Sequence, residues 1–159
     1  MAEVRPLAVD ELEQALPLIA GYQRFYGVES PDDDRNRVFF RRFIAPSEDG
    51  LLLGAWAEGD LAGFATLYWF HSSTRAAGTV LMNDLYVRED LRRGGIGRAL
   101  IEASLEVTRG RGAAHLEWST APDNARAQRL YDSIPGATRS SWFVYEVEPS
   151  QPGRTRPVS

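Results

Sequence analysis

The sequence predicts a single α/β domain in which a mixed central sheet is flanked by helices. Two apolar runs, Leu51–Glu58 and Leu61–Phe70, are joined by a Glu-Gly-Asp turn and indicate a β-hairpin. Farther along, strand-like and helical patterns alternate, which is typical of β–α–β units. The chain has 159 residues, of which 43% are hydrophobic, so it is long enough to bury one sizeable core.

The part of the chain before the hairpin predicts one strand and two helices. Val4 to Leu7 is a short strand-like run. Asp10 is placed to cap a helix whose apolar residues recur at helical spacing, and Pro17 is expected to bend that helix. The acidic turn at residues 30–34 is expected to open a second short helix.

The part after the hairpin predicts two strand–helix pairs and a last strand. Thr79–Val87 is a strand followed by a helix that ends near Gly110, and Ala113–Ser119 is a strand followed by a helix that opens near Asn124. Trp142–Val147 is expected to close the sheet. From Pro149 onward the chain is rich in Pro, Ser and Arg, so the domain is expected to span residues 1–148 and a flexible tail residues 149–159.

Charge and hydropathy weigh against nucleic acid and membranes as partners. The net charge is −4 and the isoelectric point is about 5.2, whereas nucleic-acid-binding domains are usually basic. No run reaches the roughly 18 apolar residues of a membrane span, and the first residues lack the pattern of a signal peptide. The sequence therefore predicts a cytoplasmic protein.

Two missing residue types restrict the chemistry. The chain has no cysteine, which excludes thiol nucleophiles, disulfides and thiolate metal sites. All 18 basic residues are arginine, which excludes the lysine of a phosphate-binding P-loop and a Schiff-base lysine. His71 and His115 lie in no ligand-like cluster, so no metal site is expected.

A glycine-rich turn is the most informative segment of the chain. Arg92-Arg93-Gly94-Gly95-Ile96-Gly97 lies between the strand that ends at Val87 and a helix, and such turns bind phosphates on free backbone N–H groups. A dinucleotide fingerprint would need a third glycine where Leu100 stands. The remaining candidate is a pyrophosphate with a long neutral arm that pairs with the preceding strand. Coenzyme A has that shape.

Two motifs in register resemble those of a known family. Arg92-x-x-Gly95-x-Gly97 resembles the acyl-CoA-binding signature of the GNAT superfamily of N-acetyltransferases, and Asn124-x-x-Ala127-x-x-x-Tyr131 is similar to its second motif. The run from Asp84 to Val87 and the closing segment are similar to the diamine acetyltransferase branch. The resemblance implies a mostly antiparallel sheet, acetyl-CoA as donor, a small-molecule primary amine as acceptor and a homodimer.

The resemblance also implies which residues hold the coenzyme. The N–H groups of residues 93–98 would bind the pyrophosphate, and Leu85 and Val87 would pair with the pantetheine arm. An N–H near Leu85 or Tyr86 would face the thioester oxygen. Asn124 would reach the arm, although a helix N-cap is its other interpretation. The full set is Leu85, Tyr86, Val87, Arg92, Arg93, Gly94, Gly95, Ile96, Gly97, Arg98, Asn124 and Ala127.

The catalytic groups are less completely specified. Tyr131 resembles the family's general acid, placed to protonate the departing sulfur, and this interpretation is favoured over a core tyrosine because the motif fixes its position. The base could be Asp84, Glu117 or water, because Asn83 occupies a position where the diamine branch tends to have an acidic residue. Four aromatic residues could border the acceptor pocket or pack in the core: Tyr22, Tyr26, Trp69 and Phe70.

The sequence thus favours an N-acetyltransferase that works by direct transfer within a ternary complex. Direct transfer agrees with the lack of cysteine, because no thiol can carry the acetyl group. The alternative is a non-catalytic acyl-CoA-binding module that regulates a partner. Such a module would keep the glycine-rich turn but would not need Tyr131.

Overall fold

A five-stranded sheet with helices on both faces forms the protein. The computed structural model describes residues 2–149. In chain order the elements are β1 (Glu3–Pro6), α1 (Leu12–Phe25), α2 (Asp33–Phe40), β2 (Gly50–Ala57), β3 (Asp60–Ser72), β4 (Ala77–Val87), α3 (Ile96–Gly110), β5 (Leu116–Glu117) and α4 (Ala125–Asp132). None of the helices in this described range is long and apolar enough to cross a membrane.

The strands follow the order β1-β2-β3-β4-β5 across the sheet. Neighbouring strands from β1 to β4 are antiparallel, and only β5 runs parallel to its neighbour, β4. The prediction of a mixed, mostly antiparallel sheet is therefore confirmed. Because β5 follows α3 and lies at one end of this order, its outer side is an edge of the sheet.

Each face of the sheet has its own core. On one face, α1 buries Leu12, Leu16 and Ile19, which recur at helical spacing, against Phe64 of β3. On the other face, α3 buries the fully enclosed Leu100 and its neighbours against β2, β3 and β4. The sheet is thus covered on both sides.

The start of α1 differs from its prediction. A 3₁₀ turn, Val9–Glu11, precedes the helix, and Glu11 accepts a hydrogen bond from the backbone N–H of Ala8 (2.9 Å). Glu11 also pairs with Arg5, which lowers the pKa of the Glu11 carboxyl to about 2. The prediction that Asp10 caps the helix was wrong. Glu11, one position later, accepts the hydrogen bond from the backbone of Ala8 and forms the ion pair with Arg5. Pro17 lies inside the helix, which continues through it.

β4 is irregular at one residue and leaves β5 soon after its start. Thr66 pairs with Asp84 and Leu67 with Met82, so Asn83 is an extra residue that forms a β-bulge. β4 pairs with β5 only at Val80 and Leu81. Beyond that point the two strands separate, and within residues 2–149 no strand lies beside the end of β4 on the β5 side.

The last predicted strand is absent from the protomer. Residues 142–147 form no strand pairing within the described chain, and Phe143 and Tyr145 are each 92% exposed. A strand needs a neighbour, and α4 ends before Pro135 and Gly136, which lead the chain away from the sheet. β5 is also shorter than predicted. In the described residues it pairs with β4 alone, and that pairing covers two residues. Most of the predicted tail, residues 150–159, lies outside the described residues.

Candidate active site

A cleft of about 390 Å³ opens where β4 and β5 separate. Its walls come from the end of α1, the end of β4, the start of α3 and the helix α4. Of the predicted coenzyme-binding residues, all except Gly94 line this cleft, as does Tyr131. The cleft is therefore the place where the two sequence motifs meet.

The glycine-rich turn presents the N-terminus of α3 to the cleft. Arg93 and Gly95 adopt positive φ angles of 76° and 80°, which reverse the chain just before the helix. Ala99 donates a hydrogen bond to the carbonyl of Gly95 (3.0 Å), so the N–H groups from Ile96 to Arg98 have no carbonyl one turn earlier within the helix. A Cβ atom at position 95 would have nothing within 4 Å, which leaves open space beside these donors.

Glycine is required at position 97 for a different reason, which is the close packing of α3 against α4. A Cβ atom there would come within 3.1 Å of Cδ2 of Leu130 on α4. The glycine therefore lets α3 approach α4 closely and sets the width of the cleft at this end.

Two arginines of the turn use their side chains to hold it in place. Arg92 donates from Nε to the carbonyl of Val87 (2.9 Å) and ties the turn to the end of β4. Arg98 donates to the hydroxyl (2.7 Å) and the carbonyl (3.3 Å) of Ser133, and so ties α3 to the end of α4.

The rim of the cleft is positively charged. In addition to Arg92, Arg93 and Arg98, the cleft is lined by Arg126 in the first turn of α4. These guanidinium groups and the N-terminus of α3 together favour a polyanion. Arg126 was not predicted as a site residue, although its position two residues after the cap Asn124 could have indicated it.

The free edge of β4 offers backbone groups to the cleft. Arg88 donates its N–H to Ala62 on β3 (2.8 Å), and N–H groups of successive strand residues point in opposite directions. Those of Leu85 and Val87 therefore point away from β3, toward the space between β4 and β5. This alternation favours Leu85 over Tyr86 as the donor to a ligand in the cleft.

Asp84 lies beneath the cleft, on the face of the sheet that α1 covers. It is 5% exposed and accepts a hydrogen bond from Nδ2 of Asn83 (2.9 Å). Burial raises the pKa of the Asp84 carboxyl above its usual value, although interactions with Thr66, Tyr22 and Asn83 oppose the rise. Burial also raises the pKa of Tyr22, whose ring lines the cleft. Tyr22 thus stands between the cleft and the carboxyl.

Tyr131 lies on the opposite wall, on α4. Its ring packs edge-on against Trp118 with centroids 5.6 Å apart. Burial raises the pKa of Tyr131 to about 12, so the hydroxyl keeps its proton at neutral pH. Across the cleft, Tyr26 at the end of α1 is close enough to add to this rise. Tyr131 is therefore a neutral hydroxyl that can donate a proton into the cleft.

Asn124 and Glu117 serve other partners in the protomer. Asn124 is the N-cap of α4 and accepts a hydrogen bond from the N–H of Ala127 (3.2 Å), which uses Oδ1 and not the amide nitrogen. Glu117 lies 3.0 Å from Nε2 of His115 and is exposed. It does not line the cleft. The structure thus brings Asp84, but not Glu117, near the cleft.

The aromatic candidates divide in the same way. Tyr22 and Tyr26 line the cleft and lie 5.0 Å apart between ring centroids, with Phe25 beside them. Trp69 instead packs under Arg111 (3.6 Å) and donates to the carbonyl of Ser47 (3.1 Å). The aromatic wall of the cleft therefore comes from the end of α1.

Comparison with known proteins identifies the family. A sequence model described as the Acetyltransferase (GNAT) family matches residues 15–134. The chain belongs to this family. The matched region includes both motifs and every residue predicted for the site.

Named relatives are acetyltransferases of small amines. The chain is 36% identical over 115 residues to the D-amino-acid N-acetyltransferase of Saccharomyces cerevisiae, with 71% of each chain covered. It is 33% identical over 85 residues to the thialysine N-epsilon-acetyltransferase of Caenorhabditis elegans, and this match spans 52% of the chain and 53% of that enzyme. The alignment thus covers only about half of the latter protein.

A solved structure confirms the fold. An aminoglycoside N-acetyltransferase, AAC(6')-Iy, determined in complex with CoA, superposes with a TM-score of 0.80 at 17% identity and covers 93% of this chain and 95% of that one. At this level of identity the similarity concerns the fold alone.

Proposed function

We propose that the protein transfers an acetyl group from acetyl-CoA to the primary amine of a small molecule. One observation carries the proposal: the end of β4, the N-terminus of α3 and Tyr131 all border the same cleft. Each of the three suits a different part of the donor. The GNAT relatives named above acetylate amines, and one structural neighbour was determined with CoA.

The groups that line the cleft suit successive parts of the coenzyme. The N–H groups from Ile96 to Arg98 and the guanidinium groups of Arg93 and Arg126 would hold the pyrophosphate. The carbonyl of Leu85 and the N–H of Val87 would pair with the amides of the pantetheine arm, as an added strand would. The amide nitrogen of Asn124, at the start of α4, would add a further contact.

The thioester supplies an activated acetyl group that an amine nitrogen can attack, with the thiol as the leaving group. In this reaction the N–H of Leu85 would stabilise the charge that develops on the carbonyl oxygen. Tyr131 would donate its proton to the departing sulfur, which its unionised state at neutral pH allows.

The acceptor must lose its proton before it can attack. A lysine-like amine has a pKa near 10.4, so its deprotonation at pH 7 costs roughly 4 to 5 kcal/mol. Tyr22 and Asp84 form the proton path that we assign to this step. As the Tyr22 oxygen accepts the ammonium proton, its own hydroxyl proton passes to the Asp84 carboxylate, and the tyrosine remains neutral. A carboxyl with a raised pKa is the better base for this transfer.

The acceptor would bind against the end of α1. The rings of Tyr22, Phe25 and Tyr26 form a wall that suits the stem of a small cation, and Asp84 supplies the nearby negative charge. Because residue 83 is asparagine, residues 83 and 84 together supply one carboxylate and not two. We therefore favour amines with one charged nitrogen near the reaction site, such as amino-acid amines, over long polyamines.

A turnover assay over a panel of amines tests the proposal. The panel contains lysine analogues, diamines, D- and L-amino acids, aminoglycosides and short peptides, and thiol release is followed with a chromogenic reagent. The protein adds no background because it has no cysteine. At least one class should accelerate release about tenfold or more, with the acetylated product seen by mass spectrometry. Calorimetric binding of acetyl-CoA without acceleration by any amine would instead favour the regulatory module.

We also propose that the protein works in the cytoplasm and as a homodimer. The need for acetyl-CoA supports the location, and the apolar C-terminal segment that the protomer leaves exposed supports the assembly. Cell fractionation followed by light scattering of the purified protein tests both statements.

A further inference from the structure

Gly21 is a glycine in the second half of α1, where the backbone itself does not require one. It is not among the residues with a positive φ angle, and a helix interior favours alanine over glycine. The space around it is what excludes a side chain. A Cβ atom at position 21 would lie 2.6 Å from Oη and 3.1 Å from Cζ of Tyr86 on β4. The glycine therefore allows the hydroxyl of Tyr86 to lie directly against the helix.

The ring of Tyr86 is held by several other neighbours. It packs against Phe64 of β3 with centroids 6.1 Å apart and edge-on against Tyr22 of α1 at 6.3 Å. The guanidinium carbon of Arg92, in the glycine-rich turn, lies 5.6 Å from its centroid. The hydroxyl of Tyr86 therefore cannot withdraw from α1 unless a neighbour on β3, α1 or the turn also moves.

The two residues beside Tyr22 are each held by a different element. Gly21 lies against Tyr86 of β4. Gln23 exchanges two hydrogen bonds with Asn36 of α2, at 2.7 and 2.9 Å, and Asn36 is buried. These contacts before and after Tyr22 fix both the position and the rotation of α1 at this residue.

We infer that Tyr86 is a positioning residue, which holds α1 at the distance from β4 that lets Tyr22 serve Asp84. This inference rests on the proposed function, in which Tyr22 and Asp84 take up the proton of the amine. Tyr22 lines the cleft and interacts with the Asp84 carboxyl. Proton transfer needs oxygen atoms within hydrogen-bond distance, and a displacement of about 1 Å can lower a rate on the order of a hundredfold.

The coenzyme side of the cleft does not depend on the contact between Tyr86 and Gly21. Leu85 and Val87 pack on the α3 face of the sheet, whereas the ring of Tyr86 packs on the α1 face. The proposed pyrophosphate donors belong to α3. A displaced α1 should therefore impair the amine reaction and leave acetyl-CoA binding almost unchanged. A role in general stability would instead lower activity, coenzyme affinity and melting temperature together.

Gly21→Ala tests the contact, because only the hydroxyl of Tyr86 makes alanine unfavourable in this helix. The variant should lower kcat/KM for the amine about tenfold or more and change the dissociation constant of acetyl-CoA by less than about twofold. Gly110→Ala, at the end of α3, is the matched control, since a Cβ atom there would have nothing within 4 Å. It should leave both quantities at their wild-type values. Steady-state kinetics, calorimetry and thermal melts give the comparison.

A second substitution distinguishes the role of Tyr86 from a general defect in α1. Tyr86→Phe removes Oη, so the alanine methyl of the double variant Gly21→Ala/Tyr86→Phe takes the place of the hydroxyl, and the ring needs to shift by only a few tenths of an ångström. Tyr86→Phe alone should lower kcat/KM about threefold, because α1 loses its contact. The double variant should return to within about twofold of wild type.

The outcomes separate this inference from the proposed function. If wild-type protein accelerates thiol release with no amine, the proposed function fails and the inference with it. If wild-type protein is active, an unchanged kcat/KM in Gly21→Ala overturns the inference alone. A double variant no more active than Gly21→Ala, or a loss of acetyl-CoA affinity in parallel with activity, also overturns it. Should Gly21→Ala not fold, the double variant and Tyr86→Phe decide, since the inference requires the double variant to be the more active.

Discussion

The glycine-rich turn and the C-terminal segment carry equally clear sequence signals, but only the turn forms its predicted structure in the described residues 2–149. The turn acts through its own backbone: two positive φ angles and the first N–H groups of α3 form the anion site that we propose. The segment acts through apolar side chains that need a second surface. A sequence signal that acts through its own backbone therefore predicts the local structure. An apolar strand pattern predicts that the strand is buried, but not which surface buries it.

The largest expected difference between the two regions is in stability. Leu100→Ala empties a fully buried position in α3 and should lower the free energy of unfolding by about 3 kcal/mol at any protein concentration. Phe143→Ala should change it by less than about 0.5 kcal/mol in dilute protein, and by more at concentrations where the proposed homodimer forms. Urea unfolding at several protein concentrations measures both. Equal, concentration-independent losses would show that Phe143 is buried within the protomer.

The next effect is on turnover. Tyr131→Phe should lower kcat at least about tenfold and leave the affinity for acetyl-CoA almost unchanged, because the proton donor is lost while the ring stays. Tyr145→Phe is the matched control, since it removes the same hydroxyl from the C-terminal segment. Steady-state kinetics and calorimetry provide the comparison. An unaltered kcat in Tyr131→Phe would remove this residue from the proposed mechanism.

A smaller effect distinguishes the proposed binding of acetyl-CoA by the turn from the conformational requirement for glycine there. Gly95→Ala places a Cβ on a residue with a φ of 80° and should cost about 1–2 kcal/mol of stability. Gly112→Ala meets the same restriction at a φ of 64°, beyond the end of α3. Only Gly95→Ala should also weaken acetyl-CoA binding, by roughly five- to tenfold, because its neighbours donate to the pyrophosphate. Equal affinities of the two variants would contradict the proposed anion site.

The smallest expected effect is the pH dependence of stability. Burial raises the folded-state pKa of Asp84, so the proton stabilises the folded protein at low pH, and this contribution is lost as the pH rises through the raised pKa. Asp84→Asn should therefore gain stability relative to wild type between acidic and neutral pH. In Asp90, the hydrogen bond from Arg88 lowers the pKa, so Asp90→Asn should show the opposite slope. Thermal melts across pH compare the two, and slopes of the same sign would contradict the burial of Asp84.

The sequence predicts most of the fold because its signals are local. The hairpin, the turn and the amphipathic helices α1 and α3 each depend on residues within one short window. Strand alternation also places Asp84 and Tyr86 on one face and Leu85 on the other, and the structure agrees. The coenzyme side of the cleft could be predicted because backbone groups of one strand–turn–helix unit form it.

The rest depends on contacts between distant residues. The bulge at Asn83 results from pairing with β3, and the burial of Asp84 results from α1 lying over it, so neither follows from the local sequence. Asp84 and Glu117 were equal candidates in the sequence. Only the structure shows one beneath the cleft beside Tyr22 and the other on the surface beside His115.

The separation of β4 from β5 has a consequence for solubility. An unpaired strand edge in a sheet is a template on which another extended chain can aggregate. Here the bulge at Asn83 distorts the edge, and the guanidinium of Arg92 occupies the carbonyl of Val87. Both features leave N–H donors exposed and make continuous strand addition unfavourable. The edge that we propose to pair with the pantetheine arm is thereby protected against other polypeptides.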